Sequence, residues 1–251
     1  MRLLLLFLLL PCFLTAQTGK EYPDRYVWAK SGLTMRNTGN TGGEKIMVVP
    51  FGAKVSPTGK VGQQANVTAL PAVSYRQEGQ SLNSDAYLMQ ESYLEVTYQD
   101  KTGYLYNGYL SEYSPTVEAG SPTDYIAWMT TQFGEPANTS GKKLPWQHEG
   151  RQRVSHYPTG VMVTNSEYEG GGSMTLVFPS GSINDGYLIA ARFFGVTEAV
   201  DRKKEFDEGP DLLPELLKVQ DDGTLRFTGD MSETVIQIIG SMLIIHSSGG
   251  C

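Results

Sequence analysis

Cysteine and histidine are nearly missing from this chain. Of 251 residues, two are cysteine and three are histidine. Cys12 lies inside an apolar leader and Cys251 is the last residue, so the processed chain is expected to keep one thiol and no internal disulfide. A reactive cysteine needs a fixed, electropositive setting, which a chain terminus does not supply. His148, His156 and His246 show no paired spacing such as His-Glu-x-x-His, which leaves a zinc site without local support. Basic charge is also short. The net charge is −7 and the Lys and Arg residues are scattered, so there is no basic stripe for a phosphate backbone and nucleic acid is not an expected partner. Beyond the leader no apolar run is long enough to span a bilayer; the best, 234–245, is broken by Gln237 and Gly240.

What the sequence does have begins with that leader. "MRLLLLFLLLPCFLTAQ" places Arg2 before an unbroken apolar run at 3–10 and small residues at Thr15 and Ala16. This is the layout of a secretory signal peptide, 1–16, with cleavage predicted after Ala16 and a periplasmic or secreted destination. A lipoprotein reading is disfavoured because Leu10 and Pro11 precede Cys12, where a lipobox has a small residue and then Gly or Ala. A hydrophobic content of 40% with 19% charged residues describes a globular chain.

Residues 22–113 read as short strands cut by Gly, Asn and Pro: "RYVWAK", "LTMR", "KIMVV", "AKVS" and "YLEVTY". Alternation in the last of these puts Leu94, Val96 and Tyr98 on one face and Tyr93, Glu95 and Thr97 on the other. The stretch 57–91 has room for an extra hairpin, with "PAVSYRQ" and "DAYLMQ" as its strands. After the Pro, Gly and Ser cluster at 114–121, read as a linker, Ser121 is placed to cap a helix. Pro122 takes its first position and Asp124 closes a capping box, predicting a helix over 122–133 that ends at Gly134. The remainder reads as strands. "VMVTNSEYEGGGSMTLVF" is a hairpin about Gly170, "PSGSINDG" turns into a strand "YLIAARFF", "LLKVQDDGTLRFT" turns at Asp222 and Gly223, and "ETVIQIIGSMLIIHS" turns at Gly240 and Ser241. The expected unit, 122–251, is an α+β domain with one helix and five to seven antiparallel strands in meander order.

Several blocks in 22–113 resemble the bacterial SH3 family, a small β-barrel attached to many cell-envelope proteins. Leu33, Thr34, Met35 and Arg36 with a turn at 37–39 look like its opening strand, and "KIMVVPFGAKV" is similar to its second element. Tyr93 to Val96, then Gly103, Tyr104 and Leu105, then Tyr109 and Leu110 match its closing aromatic hairpin, in family order. Tyr93 and Tyr104 stand where the family usually has tryptophan, and no Pro follows Arg36. The resemblance implies an SH3-like barrel with an outward aromatic groove for an extended peptide, for which Tyr26, Trp28, Tyr75, Tyr104 and Tyr106 are the candidates. Ordinary cross-strand pairing is the competing reading of the same tyrosines.

Catalytic constellations are thin. Ser173 or Ser180 with His156 and Asp185 supplies the parts of a triad but no Gly-x-Ser-x-Gly elbow. The run 170–172 is better read as a hairpin tip than as an oxyanion loop. Asp201, Glu205, Asp207, Glu208 and Asp211 are interrupted by Lys203 and Lys204 and lack the spacing of a calcium loop. The family's usual peptidase and amidase partners cannot be accommodated, since one needs an internal Cys with His and the other several His and acidic ligands. The expectation is therefore an exported, non-catalytic binding or scaffold protein of the cell envelope. Its partner is expected to be a peptide, a peptidoglycan fragment or another envelope protein, with no cofactor and no metal. The alternative is a hydrolase of unrecognised type in 122–251, targeted by the barrel.

Overall fold

The structure, a computed structural model, describes residues 22–77, 80–116, 125–144, 150–196 and 215–250. The predicted signal peptide with Cys12, the 117–121 part of the linker, the cap residues Ser121, Pro122 and Asp124, His148, the acidic loop and Cys251 all lie outside the described residues. So does the side chain of Tyr75.

Among the described residues the protein is mostly antiparallel β-sheet. The first half contributes β1 (Arg25–Val27), β2 (Leu33–Arg36), β3 (Lys45–Val49), β4 (Lys54–Leu70), β5 (Val73–Gln77), β6 (Gln80–Ser84), β7 (Tyr87–Tyr98), β8 (Lys101–Tyr106), a 3-10 turn (Asn107–Tyr109) and β9 (Leu110–Ser111). Seven of these strands form a curled half-barrel sheet in the order β3-β2-β8-β7-β4-β1-β9. The strands predicted at "LTMR" and "KIMVV" are β2 and β3. The turn between β7 and β8 is made by Gln99 and Asp100, both at positive φ (47° and 60°), the pair of left-handed residues that a two-residue hairpin needs.

An extra hairpin does occur within 57–91, but its second strand is β6, "QSLNS", and not "DAYLMQ". Asp85 and Ala86 interrupt the ladder, and from Tyr87 the chain runs on as β7 through "YLEVTY" without a break. β4 pairs along the length of β7 through three register shifts, which bend the pair and let one ladder run from the half-barrel core at Val55 and Val96 to the larger core at Leu70 and Tyr87.

The second half contains α1 (Tyr125–Phe133), β10 (Asn138–Lys143), β11 (Arg151–His156), β12 (Met162–Tyr168), β13 (Gly171–Phe178), α2 (Ile183–Phe193), β14 (Leu216–Val219), β15 (Leu225–Thr228), β16 (Ser232–Ile239) and β17 (Met242–Gly250). Eight strands form one sheet in the order β10-β11-β12-β13-β17-β16-β15-β14. The expected five to seven strands are eight, and the single helix is two. "YLIAARFF" is helix α2, not a strand. Its start was written in the sequence: Ser182 accepts from the amide of Asp185, and Asp185 accepts from the amide and hydroxyl of Ser182 at 2.9 and 2.7 Å, a full capping box. Its body reads as continuous apolar chain because seven consecutive residues, from Asn184 to Ala190, are buried. A helix covered on both sides loses the 3.6-residue alternation that marks an amphipathic one.

The second half is built twice. A helix and four strands, α1 with β10 to β13, are followed by a helix and four strands, α2 with β14 to β17, and the strand order is symmetric about the β13–β17 pair. The sequence repeats at the helices: Ser121, Asp124, Phe133 and Gly134 have the same spacing as Ser182, Asp185, Phe194 and Gly195. Both glycines sit at positive φ, 74° and 65°, the conformation that ends a helix at low cost. α2 lies close on the sheet at Gly186, where a Cβ would come within 2.4 Å of Ile236 Cγ2 and 2.8 Å of Leu243 Cδ1.

Two cores hold these layers. The smaller fills the half-barrel with Val27, Met35, Val49, Val55, Val96, Leu105 and Leu110. The larger runs from the outer face of the curled sheet, through Trp28, Tyr87, Met89, Tyr93 and Tyr106, past Trp128 and the helix α2 to Leu176, Ile236 and Ile245 of the second sheet. Trp28 meets Trp128 edge-on at 6.3 Å and Tyr87 meets Tyr187 at 4.9 Å. Residues 114–116, expected to be linker, are pinned: Trp128 Nε1 donates to Ser114 O at 2.7 Å, Gln132 Oε1 accepts from Ser114 N at 2.9 Å, and Arg192 Nε donates to Pro115 O at 3.2 Å. The first half therefore lies against the second along a continuous apolar seam.

Candidate functional site

Of the five aromatic residues proposed as a groove, the four with described side chains do not assemble into one. Trp28 and Tyr106 are 4% exposed and belong to the larger core. The pairing Tyr93 with Tyr106 and Leu94 with Leu105 confirms that Tyr106 and Leu105 point to opposite faces. Around the Tyr106 ring stand Tyr93 and Tyr109, in the core that continues into the second half. The Tyr106 hydroxyl donates to Met89 O at 2.6 Å, with Ala65 O at 3.2 Å, and burial pushes its pKa up to about 12. Tyr26 and Tyr104 remain half-buried, on strands separated by β7 and β4 in the sheet order. Tyr104 lies opposite Glu95. Thr58 Oγ1 donates to that carboxylate at 2.7 Å, and with Lys60 holds it below the usual carboxylate range.

The triad is not assembled either. Asp185 is engaged in the cap of α2, His156 is exposed at the end of β11, opposite Asn138 and Met162, and Ser173 lines a cleft to which neither of them contributes. Among the described residues no three His, Cys, Asp or Glu side chains converge as metal ligands, and no helix is long and apolar enough to cross a membrane.

A large concavity lies away from the proposed aromatic groove, and of the residues named from the sequence it takes in Gly172 and Ser173. It is a cleft of about 820 Å³ between the open ends of the two helices and the second sheet, with Tyr125 and Phe194 at its roof. Antiparallel register lines up the helix-facing residues in rows. Under the helices the row Val163, Leu176, Ile245, Ile236, Leu225 is apolar. The next row is mixed: Arg153, Asn165, Met174, Ser247, Thr234. Beyond it the row Lys143, Arg151, Glu167, Gly172, Gly249, Ser232 is charged at one end and bare in the middle. Gly172 and Gly249 face each other across β13 and β17 with no side chain to fill the space, and this opens the floor. The sheet thus grades from core to cleft over three successive helix-facing rows.

Polar groups in the cleft are held in place. Tyr125 Oη donates to Asn165 Oδ1 at 2.9 Å, Thr234 Oγ1 and Ser247 Oγ are 3.0 Å apart, and Ser232 Oγ donates to Glu215 Oε1 at 2.9 Å. Lys143, Arg151 and Arg153 form no ion pair among the described residues, so one wall presents free cations opposite carboxylates and hydroxyls. The signal that could have found this cleft was period-2 polarity inside otherwise apolar strands: Asn165 and Glu167 in β12, and Thr234 and Ser232 in β16. The equivalent outlet at the other end of the helices is filled by Tyr113, which packs on Phe178 at 5.3 Å and Phe133 at 5.7 Å.

Comparison with known proteins gives no match: no family model, no curated protein and no solved structure aligns with this chain.

Proposed function

We propose that this is an exported, non-catalytic binding protein of the cell envelope, and that its cleft receives a short peptide or a peptide-bearing cell-wall fragment. The observation that carries the reading is the cleft's composition. Ligand sites combine apolar walls with a few convergent polar groups. Here free cations suit backbone or terminal carboxylates, Asn165 and the Ser232, Thr234 and Ser247 hydroxyls suit amides, and Tyr125 and Phe194 cover apolar side chains. Export rests on the leader at 1–16. The curled first sheet, with the block order described above, supports an SH3-like barrel, and its outer face serves as the platform on which the cleft-bearing half is built. A binding role is favoured over hydrolysis because Asp185 is engaged in the cap of α2 and Ser173, which lines the cleft, has neither His156 nor Asp185 among the other lining residues.

The test is retention of the protein, purified from residue 17 onward, on cell-wall sacculi and on immobilised stem-type peptides. Arg151→Ala and Arg153→Ala are expected to weaken retention by about tenfold each, the scale of one or two lost hydrogen bonds to charged groups, with an unchanged melting temperature. Tyr104→Ala is expected to retain binding. Loss of binding in Tyr104→Ala with full binding in both cleft variants would return the site to the barrel.

A further inference from the structure

The two edges of the second sheet are treated differently, and the difference points to a partner. At one edge, β14 is capped by the chain itself. Leu217 N donates to Ser84 Oγ at 2.9 Å, Leu217 O accepts from Asp85 N at 2.8 Å, Val219 N donates to Asp85 Oδ2 at 3.1 Å, and Lys218 Nζ reaches Asp85 Oδ1 at 3.3 Å. A single acidic turn thus satisfies the edge backbone and its lysine together. The other edge, β10, is the matching strand of the first repeat. It runs six residues in unbroken register with β11, from Asn138 opposite His156 to Lys143 opposite Arg151, and all six are exposed. No strand pairs with its outer side among the described residues.

β10 has no Pro and no bulge, and small residues, Thr139, Ser140 and Gly141, precede Lys142 and Lys143. Lys142 and Lys143 point to opposite faces, and neither forms an ion pair among the described residues. Edge lysines repel neutral or basic strands and so guard against indiscriminate pairing. The same charges favour a strand that brings carboxylates to both faces.

We infer that the outer edge of β10 is a strand-addition site for an extended acidic peptide segment, whose backbone continues the sheet and whose carboxylates meet Lys142 and Lys143 as Asp85 meets Lys218 at the opposite edge. This goes beyond the cleft: Lys142 lies on the face of the sheet away from the helices, and the contacts are made to edge backbone.

The experiment is a fluorescence-anisotropy titration of the purified protein with a blocked extended peptide carrying Asp and Glu at its centre. Three comparisons accompany it: the same peptide with Lys in place of both acids, the acidic peptide N-methylated at alternate residues, and the Lys142→Glu protein. Saturable binding is expected for the acidic peptide and not for the basic one. N-methylation removes backbone donors without changing charge and is expected to abolish binding. Lys142→Glu is expected to weaken binding by about tenfold. Equal binding of the N-methylated peptide would overturn strand addition, equal binding by Lys142→Glu would overturn the charge assignment, and no saturable binding of the acidic peptide would overturn the site.

Discussion

The curled sheet of the first half and the flat sheet of the second differ in how many of their faces are buried. On β7 and β8 the first sheet is buried twice. Leu105 and Val96 face the half-barrel core, while Tyr93 and Tyr106 belong to the larger core that continues into the second half. The second sheet buries mainly its helix side; the opposite side, with Thr164, Thr175, Ile244 and His246, is half-exposed, and Val235 is buried there. The aromatic comb of β7 and β8 follows from this. Large rings with a polar tip suit a seam between layers, where the ring packs and the hydroxyl reaches a backbone carbonyl, as Tyr106 does with Met89. The flat sheet uses smaller Leu, Ile and Val under its helices and turns polar where the helices end. A face that is outer by strand alternation is therefore not a solvent face until the neighbouring layers are known.

The largest effect should come from removing one side of the comparison. A polypeptide of residues 22–113 would expose Trp28, Tyr87, Met89, Tyr93 and Tyr106 together. It is expected to bind a hydrophobic dye and to lose its sharp melting transition, whereas the full chain melts once. A full chain with two well-separated transitions, and a stable 22–113 fragment free of dye, would show the seam to be weak.

Next come substitutions on the two faces of β8. Leu105→Ala opens a cavity in the barrel and should cost about 2–5 kcal/mol, and Tyr106→Ala opens one at the seam and should cost about 3–5 kcal/mol. Denaturant titration measures both. If only Leu105→Ala is costly, Tyr106 behaves as a surface ring and the second face is not a core.

Alkaline titration sharpens the same contrast, because the seam is rich in buried phenols. Burial pushes Tyr87 up, and holds Tyr106 and Tyr113 at about 12, against an ordinary value of 10.0. Folded and unfolded chains are equally protonated below the unfolded value, so the stabilisation is fully present there. Above about pH 10 the unfolded chain releases these protons while the folded one keeps them, so stability falls as pH rises towards about 12. The melting temperature should drop over that window together with a cooperative rise in phenolate absorbance. Gradual, non-cooperative ionisation with a flat melting temperature would mean that the rings are wet.

Legibility followed the number of covered faces. Hairpins announced by tight turns were readable in the second half: Gly170, Asp222 and Gly223, and Gly240 with Ser241 all turn where the sequence places them. Face alternation on β7 and β8 was also readable, since period 2 is a local property. What covers each face is a long-range property, and for that reason Trp28 and Tyr106 were placed in a groove. β10 and β11 went unread because "NTSGKK" has no apolar alternation, being an edge exposed throughout. The cleft residues come from six of the eight strands, from the start of α1 and from residues beside α2 and β14, and only register brings the strand residues together.

The smallest effect concerns α2, the element lying between the two sheets. Its sequence looked like a strand, and its capping box at Ser182 and Asp185 is the local signal that sets it as a helix. Removing the cap hydroxyl leaves the amide of Asp185 without its acceptor at the first turn, and Ser182→Ala should cost about 0.5–2 kcal/mol. Because α2 touches both layers, with Tyr187 against Tyr87 on one side and Gly186 against Ile236 on the other, this cost should fall on the one shared transition. A melting curve that moves by a few degrees without broadening is the expected result. Ser182→Asp, which keeps a side-chain acceptor at the cap position, should recover most of the loss. If Ser182→Ala instead splits the transition in two, α2 belongs to the flat sheet alone and the seam with the curled sheet is a contact between independently stable parts.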